Sequence, residues 1–317
     1  MTLALAGAAT ADEQVPERRP EPVPLRLQAP LLRSVYLPAV AAATTAAPDE
    51  VQRLNACTVS VFRQSDAGGG GSGTHVTTVG DAVAGVAQVR VGLPQGRLPD
   101  LGFEYGLEVA ALRWGRSPKF RDEGPVLDAE YGGARWLGVT EPEAGLLAPV
   151  AWLAGAWRAG AGVGLAVRGD VSFPGGSRRR GTGTREWGAA GTLALGVRLA
   201  PHCWFDANAS VAWPGRPDGL AGGRVRLAPV WQGALALSWA PLPEWSFHLQ
   251  AVLATNPFPA TGIARLDEPP GEIAVAARFR PVADLALGVW FAEDLTRLAP
   301  DFTVALLLEY RLRGRSR

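Results

Sequence analysis

The chain has 317 residues, a formal net charge of +1 and 47% apolar residues. Charged residues make up 19%, against roughly 25% in a soluble domain. Near-neutrality removes the electrostatic footprint that a nucleic-acid partner requires, and the length fits one all-β domain, since β-barrels commonly reach about 200–250 residues as a single unit.

Residues 1–11, Met1 to Ala11, read as the apolar core of a truncated signal peptide, with Ala9-Thr10-Ala11 as a small-residue cleavage site before Asp12. Export places Cys57 and Cys203 in an oxidising compartment, but sequence alone does not bring their Cα atoms within bridging distance, so pairing does not follow. Pro16, Pro20, Pro22, Pro24 and Pro30, set among charged residues, make 12–50 an extended lead-in on the periplasmic side or a plug.

From there the chain alternates apolar and polar residues in bursts separated by turn residues. Windows at 51–62, 74–91, 102–114, 147–157, 161–173, 186–199, 203–213 and 225–240 follow the period-2 pattern of strands. The stretch 144–167 is long enough for a membrane helix and holds only Arg158 as a charge. Its glycines and Pro149 argue instead for two strands and a hairpin. Four further windows are cleaner still. Odd positions of 245–253, 273–279 and 285–291 and even positions of 302–310 are all apolar. At 47% apolar content, independent draws give 18 of 18 about once in a million.

Twelve strands result. Their connections alternate between short (158–160, 200–202, 241–243, 281–283) and long (63–73, 115–146, 174–185, 214–224, 255–271), as in bacterial barrels with short periplasmic turns and long outer loops. In lipid every backbone N–H and C=O needs an internal partner, so the sheet must close. The expected fold is therefore all-β: a closed antiparallel transmembrane β-barrel of about twelve strands over 51–312, with a basic tail at 313–317. Trp231 and Trp239, eight residues apart on one parity, span roughly 26 Å of strand, or about 20 Å along the membrane normal at a tilt near 40°. Phe205 and Trp213 repeat that spacing, and both pairs suit interfacial aromatic girdles. A soluble periplasmic β-protein would carry charge on its outer parity. Here the polar parity is instead diluted by Ala274, Ala276, Ala286, Gly288 and Ala305, which suits a lumen.

That parity places Glu104, Glu108, Arg168, Asp170, Arg198, Asp206, Glu244, His248, Glu272, Arg278, Arg280, Asp284, Glu309 and Arg311 on the lumen wall, together with Asp301, with acids in excess. A narrow passive channel, or a structural or transport accessory, is the expected role. Ser246 and His248, flanked by Glu244 and Gln250, form the one arrangement resembling a nucleophile, base and orienting acid. The enzymatic alternative is accordingly an outer-membrane lipid hydrolase. It is disfavoured because these residues face inward while a lipid ester lies outside. No zinc-ligand spacing occurs among His75, His202, His248 and the cysteines. Gly68–Gly73 lacks the Lys and helix of a phosphate loop, so no cofactor or metal is expected. Arg178-Arg179-Arg180 suits the acidic groups of lipopolysaccharide.

Several segments resemble a bacterial family known as domain of unknown function 3187, a presumed outer-membrane barrel. They are Asn256-Pro-Phe-Pro-Ala-Thr-Gly-Ile-Ala-Arg-Leu-Asp-Glu268, then Phe291-Ala-Glu-Asp294 with Ala299-Pro-Asp-Phe302, and upstream Leu25-Arg-Leu-Gln-Ala-Pro-Leu31, Phe173-Pro-Gly-Gly176 and Gly181-Thr-Gly-Thr-Arg-Glu-Trp187. The resemblance implies an outer-membrane barrel and carries no assigned site; a monomer among outer-membrane lipids and lipopolysaccharide is expected. Barrels of this kind end on an aromatic residue read by the barrel assembly machinery; Leu312 stands in that place.

Overall fold

The computed structural model describes residues 50–62, 67–68, 75–76, 80–93, 100–114, 145–158, 162–175, 184–216, 227–257, 268–296 and 302–313. The leader, the lead-in up to residue 49, Arg178–Arg180, Asp301 and most of 256–268 lie outside them. Twelve long strands run in order: β1 Glu50–Phe62, β2 Gly80–Gly92, β3 Leu101–Trp114, β4 Val150–Arg158, β5 Val163–Ser172, β6 Gly188–Ala200, β7 Cys203–Trp213, β8 Val230–Leu242, β9 Trp245–Ala254, β10 Gly271–Val282, β11 Leu285–Asp294 and β12 Phe302–Arg313. Each pairs antiparallel with its sequence neighbours. β1 also pairs with β12, from Glu50↔Arg313 to Val61↔Phe302, so the sheet closes.

Strand limits depart from the sequence windows where backbone chemistry intervenes. Pro149 and Pro229 lack an N–H for the ladder, and β4 and β8 begin at the residue after each. The expected 74–91 strand begins at Gly80, and His75–Val76 instead form a two-residue ladder with Ala67–Gly68. At one end of the barrel Pro201-His202, Pro243-Glu244 and Ala283-Asp284 make two-residue turns. A repeated bond ties each turn to the next hairpin: Ala240 N–H donates to His202 O, Arg280 to Glu244 O and Arg311 to Asp284 O, at 2.7–2.9 Å. The strand ends Trp213, Val230, Ala254 and Gly271 lie at the other end.

Burial follows parity. In β8 and β9 the pattern alternates strictly between exposed Trp231, Leu235, Leu237, Trp239, Phe247, Leu249 and Leu253 and buried Gln232, Ala234, Ala236, Ser238, Ser246, His248 and Gln250. The outer wall carries large apolar groups at high exposure, including Leu306 and Trp231 at 63% and Val167 at 62%. In water each such side chain forgoes roughly 1.5–3 kcal/mol of burial, and no soluble monomer sustains a continuous patch of this size. The solvent of this wall is lipid.

Outward aromatics sit at both rims. Trp239, Phe247, Trp245 and Phe279 adjoin one another at the short-turn end, with centroids 4.8–6.1 Å apart, while Phe291 and Phe302 meet edge-on at 4.4 Å near the long-loop end. Phe302 and Tyr310, on one strand and one parity, reproduce the eight-residue girdle spacing. Cys57 and Cys203 are both free. They stand on β1 and β7, six strands apart whichever way the twelve-stranded ring is followed, which excludes a bridge within one barrel.

Candidate functional site: the barrel interior

The inward parity carries a polar set along the height of the barrel. Arg168, Thr192, Ser210 and Gln232 stand opposite one another in register across β5 to β8 and are all buried. Asp206, Asn208 and Gln250 lie toward the short-turn side of this row, and Asp170, Glu272 and Thr303 toward the long-loop end; all are buried. Small residues fill the intervening places, among them Ala194, Ala274, Ala292 and Ala305. They keep the lumen from being blocked by its own wall, yet Ala305 is fully buried and Asp206 and Glu272 are only 1% exposed. The interior is narrow.

Charges within it are paired. An Arg278 Nη2 donates to Glu309 Oε2 from two strands away. The register explains the reach: Arg278 faces Gly288 of the intervening β11, and Ala286 faces Glu309, so no bulky side chain stands between them. Glu309 Oε1 accepts from Arg311 Nε at 2.8 Å, and Arg311 Nη1 lies 3.8 Å from Glu50 Oε1. A second group centres on Arg90, whose Nε donates to Gln52 Oε1 at 2.6 Å and whose Nη1 is 3.8 Å from Glu104 Oε2. Gln88 Nε2 donates to Glu108 Oε2 at 3.4 Å from the directly opposed position.

A third group is built on Trp152. Arg168 lies over its ring, 4.4 Å from the centroid, and donates through Nη2 to Asp170 Oδ1 at 2.6 Å. The indole lies flat over Gly106, its register partner on β3. A Cβ there would stand 2.0 Å from Trp152 Cζ2. Gly106→Ala is therefore expected to destabilise the folded barrel by about 1–3 kcal/mol through overpacking. The loss should nearly vanish in a Trp152→Ala background, measured by urea unfolding in vesicles. Equal losses in both backgrounds would show that the ring does not set the requirement for glycine.

His248 is held between two hydroxyls: Ser238 Oγ is 2.9 Å from Nδ1 and Ser246 Oγ is 3.1 Å from Nε2. The Ser–His pair seen in the sequence thus exists. Its expected orienting acid does not join it, because Glu244 stands exposed in the turn before β9 and the second ring nitrogen faces a serine. The trio is inside the barrel, walled from the lipid by β8 and β9.

Of the expected lumen residues, Glu104, Glu108, Arg168, Asp170, Asp206, His248, Glu272, Arg278 and Arg311 are buried on the inward parity, with Glu309 and Arg280 half-buried there. Two need correction. Glu244 and Asp284 occupy two-residue turns. Period-2 counting overran the strand ends there, where the ladder shifts register between Trp239 and Leu242 and between Phe279 and Val282. Arg198 keeps the inward parity, in register with Trp204, but stands exposed at the rim, where it donates to Pro201 O at 2.9 Å and lies 5.9 Å from the Trp204 ring centroid. The sequence reading passed over Glu50, Gln52 and Arg90, although each shares the parity of an inward alanine. It also left unnamed the inward Trp152, Trp204 and Trp290. Among the described residues no three His, Cys, Asp or Glu side chains gather as metal ligands.

No family model matches the chain, and no curated protein matches it. Solved structures do. The crystal structure of the COG4313 outer membrane channel from Pseudomonas putida F1 superposes with a TM-score of 0.64 at 15% identity, covering 84% of this chain and 97% of that one. The NanC porin follows at a TM-score of 0.48 and 10% identity, covering 82% of this chain and 100% of its own. The P. putida toluene transporter TodX gives 0.48 and 9%, with 86% and 92% covered. The chain shares its fold with the first of these; its own barrel is closed, antiparallel and twelve-stranded.

Proposed function

We propose that this barrel sits in a bacterial outer membrane, short turns in the periplasm and long loops outside, and passes small polar solutes down their gradients through a narrow lumen, without catalysis. The observation that carries the reading is the inward polar set, which continues from Asp206 at one end to Asp170 and Glu272 at the other inside an apolar outer wall. Likeness of fold to an outer-membrane channel supports it. The quoted motifs support membership of the domain of unknown function 3187 family, as a monomer assembled by the barrel machinery among outer-membrane lipids and lipopolysaccharide. Against a lipid hydrolase stands the position of Ser246 and His248 on the inner side of the wall.

Among the described residues, buried or half-buried inward carboxylates are Glu50, Glu104, Glu108, Asp170, Asp206, Glu272, Asp294 and Glu309; the corresponding guanidiniums are Arg90, Arg168, Arg278, Arg280 and Arg311. Fixed negative charge in a low-dielectric wall enriches cations, and the Debye length falls from about 10 Å at 0.1 M to about 3 Å at 1 M. In planar bilayers with a potassium chloride gradient, reversal potentials should show a modest cation preference that fades as salt rises and weakens in Glu104→Gln/Glu108→Gln. Clear anion preference would overturn the charge assignment. A second reading, a sealed structural barrel, is favoured by the near-total burial of Asp206, Glu272 and Thr303; silence after confirmed insertion would establish it.

A further inference from the structure

Charge is scarce on the described outer wall. Of the outward strand positions whose side chains are described, only two carry a charge: Arg53 on β1 and Glu293 on β11. Glu293 stands beside Phe302 at the long-loop end. Arg53 is at the opposite end, exposed, level in register with the girdle residue Tyr310 on one side and Val89 on the other. Its Nε donates to Asn55 Oδ1 at 3.3 Å, and Asn55 is the single outward amide among these positions. Beyond Asn55 the wall drops into a trough. Asn55 faces Ala87, and Cys57 faces Gly85, where an added Cβ would meet nothing within 4 Å, while Leu306 and Leu308 rise along the β12 side.

We infer that this seam is a phospholipid site: the Arg53 guanidinium, with the Asn55 amide and the Tyr310 hydroxyl beside it, binds the phosphodiester of a lipid in the periplasmic leaflet, and one acyl chain lies in the trough over Ala87, Cys57 and Gly85. The chemistry follows from the surroundings. A guanidinium on a lipid-facing wall is costly in proportion to its depth, its planar fork matches phosphate oxygens, and the anion that a bilayer supplies at girdle height is a headgroup phosphate. The geometry follows the strand. From Arg53 to Cys57 is roughly 13 Å along β1, or about 10 Å of depth, which leads from the interface well into one leaflet. The inference rests on the orientation proposed above, but not on conduction.

The test is native mass spectrometry of the refolded full chain in detergent, with phosphatidylglycerol added at rising concentration. One tightly held phosphatidylglycerol per barrel is expected, with retention lowered about tenfold in Arg53→Gln through loss of the charge-assisted bonds. Gly85→Leu, whose Cβ meets nothing within 4 Å and whose side chain occupies the trough, should lower it as well, while Arg158→Gln at the same end of the barrel should not. A phosphate-free galactosyl diacylglycerol should not be retained. Equal retention by wild type and Arg53→Gln, both heat-modifiable on gels, would reduce the seam to ordinary boundary lipid and overturn the site. So would disulfide-linked dimers through Cys57 in oxidised vesicles of the wild type, which would show a second copy covering the seam. A silent bilayer recording bears on the channel reading alone.

Discussion

Leu306→Arg is expected to prevent stable insertion of the barrel into vesicles, whereas Leu312→Arg, on the same strand and the same outward parity, should insert almost normally. Both leucines are exposed, at 63% and 53%. They differ in depth: Leu306 lies near mid-wall opposite Cys57, and Leu312 two residues beyond the girdle residue Tyr310. An arginine at the bilayer midplane costs about 2–4 kcal/mol and near the interface about 0–1 kcal/mol. Urea titration in phosphatidylcholine vesicles, followed by heat-modifiable migration, reads the difference directly. In water neither substitution would matter, because both would place charge on a solvated face. Equal tolerance of the two variants would therefore overturn the membrane reading itself, and equal damage would overturn the assignment of depth.

The same contrast explains how much of this molecule its sequence disclosed. Every side chain of a strand is committed to one of two faces, and here one face meets lipid, so the outward set of β9 to β12 had to be apolar at each place. Closure followed from the need to satisfy each backbone group. The lumen was less legible, because its wall tolerates Ala, Gly, Trp and Arg alike. Trp152 points inward, and burial reveals it. Nor did spacing indicate that Arg278 reaches Glu309 past Gly288, since the pair lies 31 residues and two strands apart. Arg53 escaped notice for the opposite reason: it interrupts an otherwise perfect pattern on a strand whose alternation the sequence showed weakly.

The pairing of Arg278, Glu309, Arg311 and Glu50 decides between a wet and a dry interior. Replacing Glu309 by Leu takes from Arg278 and Arg311 the carboxylate they share, and leaves Glu50 at 3.8 Å from Arg311. The three side chains are 9–12% exposed, and stripping one partner from a buried ion pair costs about 3–5 kcal/mol. A pair in free contact with water is worth about 0–1 kcal/mol. Glu309→Leu is therefore expected to lose about 3 kcal/mol in vesicle unfolding. The double variant Arg278→Met/Glu309→Leu should recover most of it, because an apolar pair of similar bulk removes the orphaned charge while Arg311 retains Glu50. That outcome means the β10–β12 wall is dry. A loss under about 1 kcal/mol for the single variant would instead mean that water reaches this wall and screens its ion pairs.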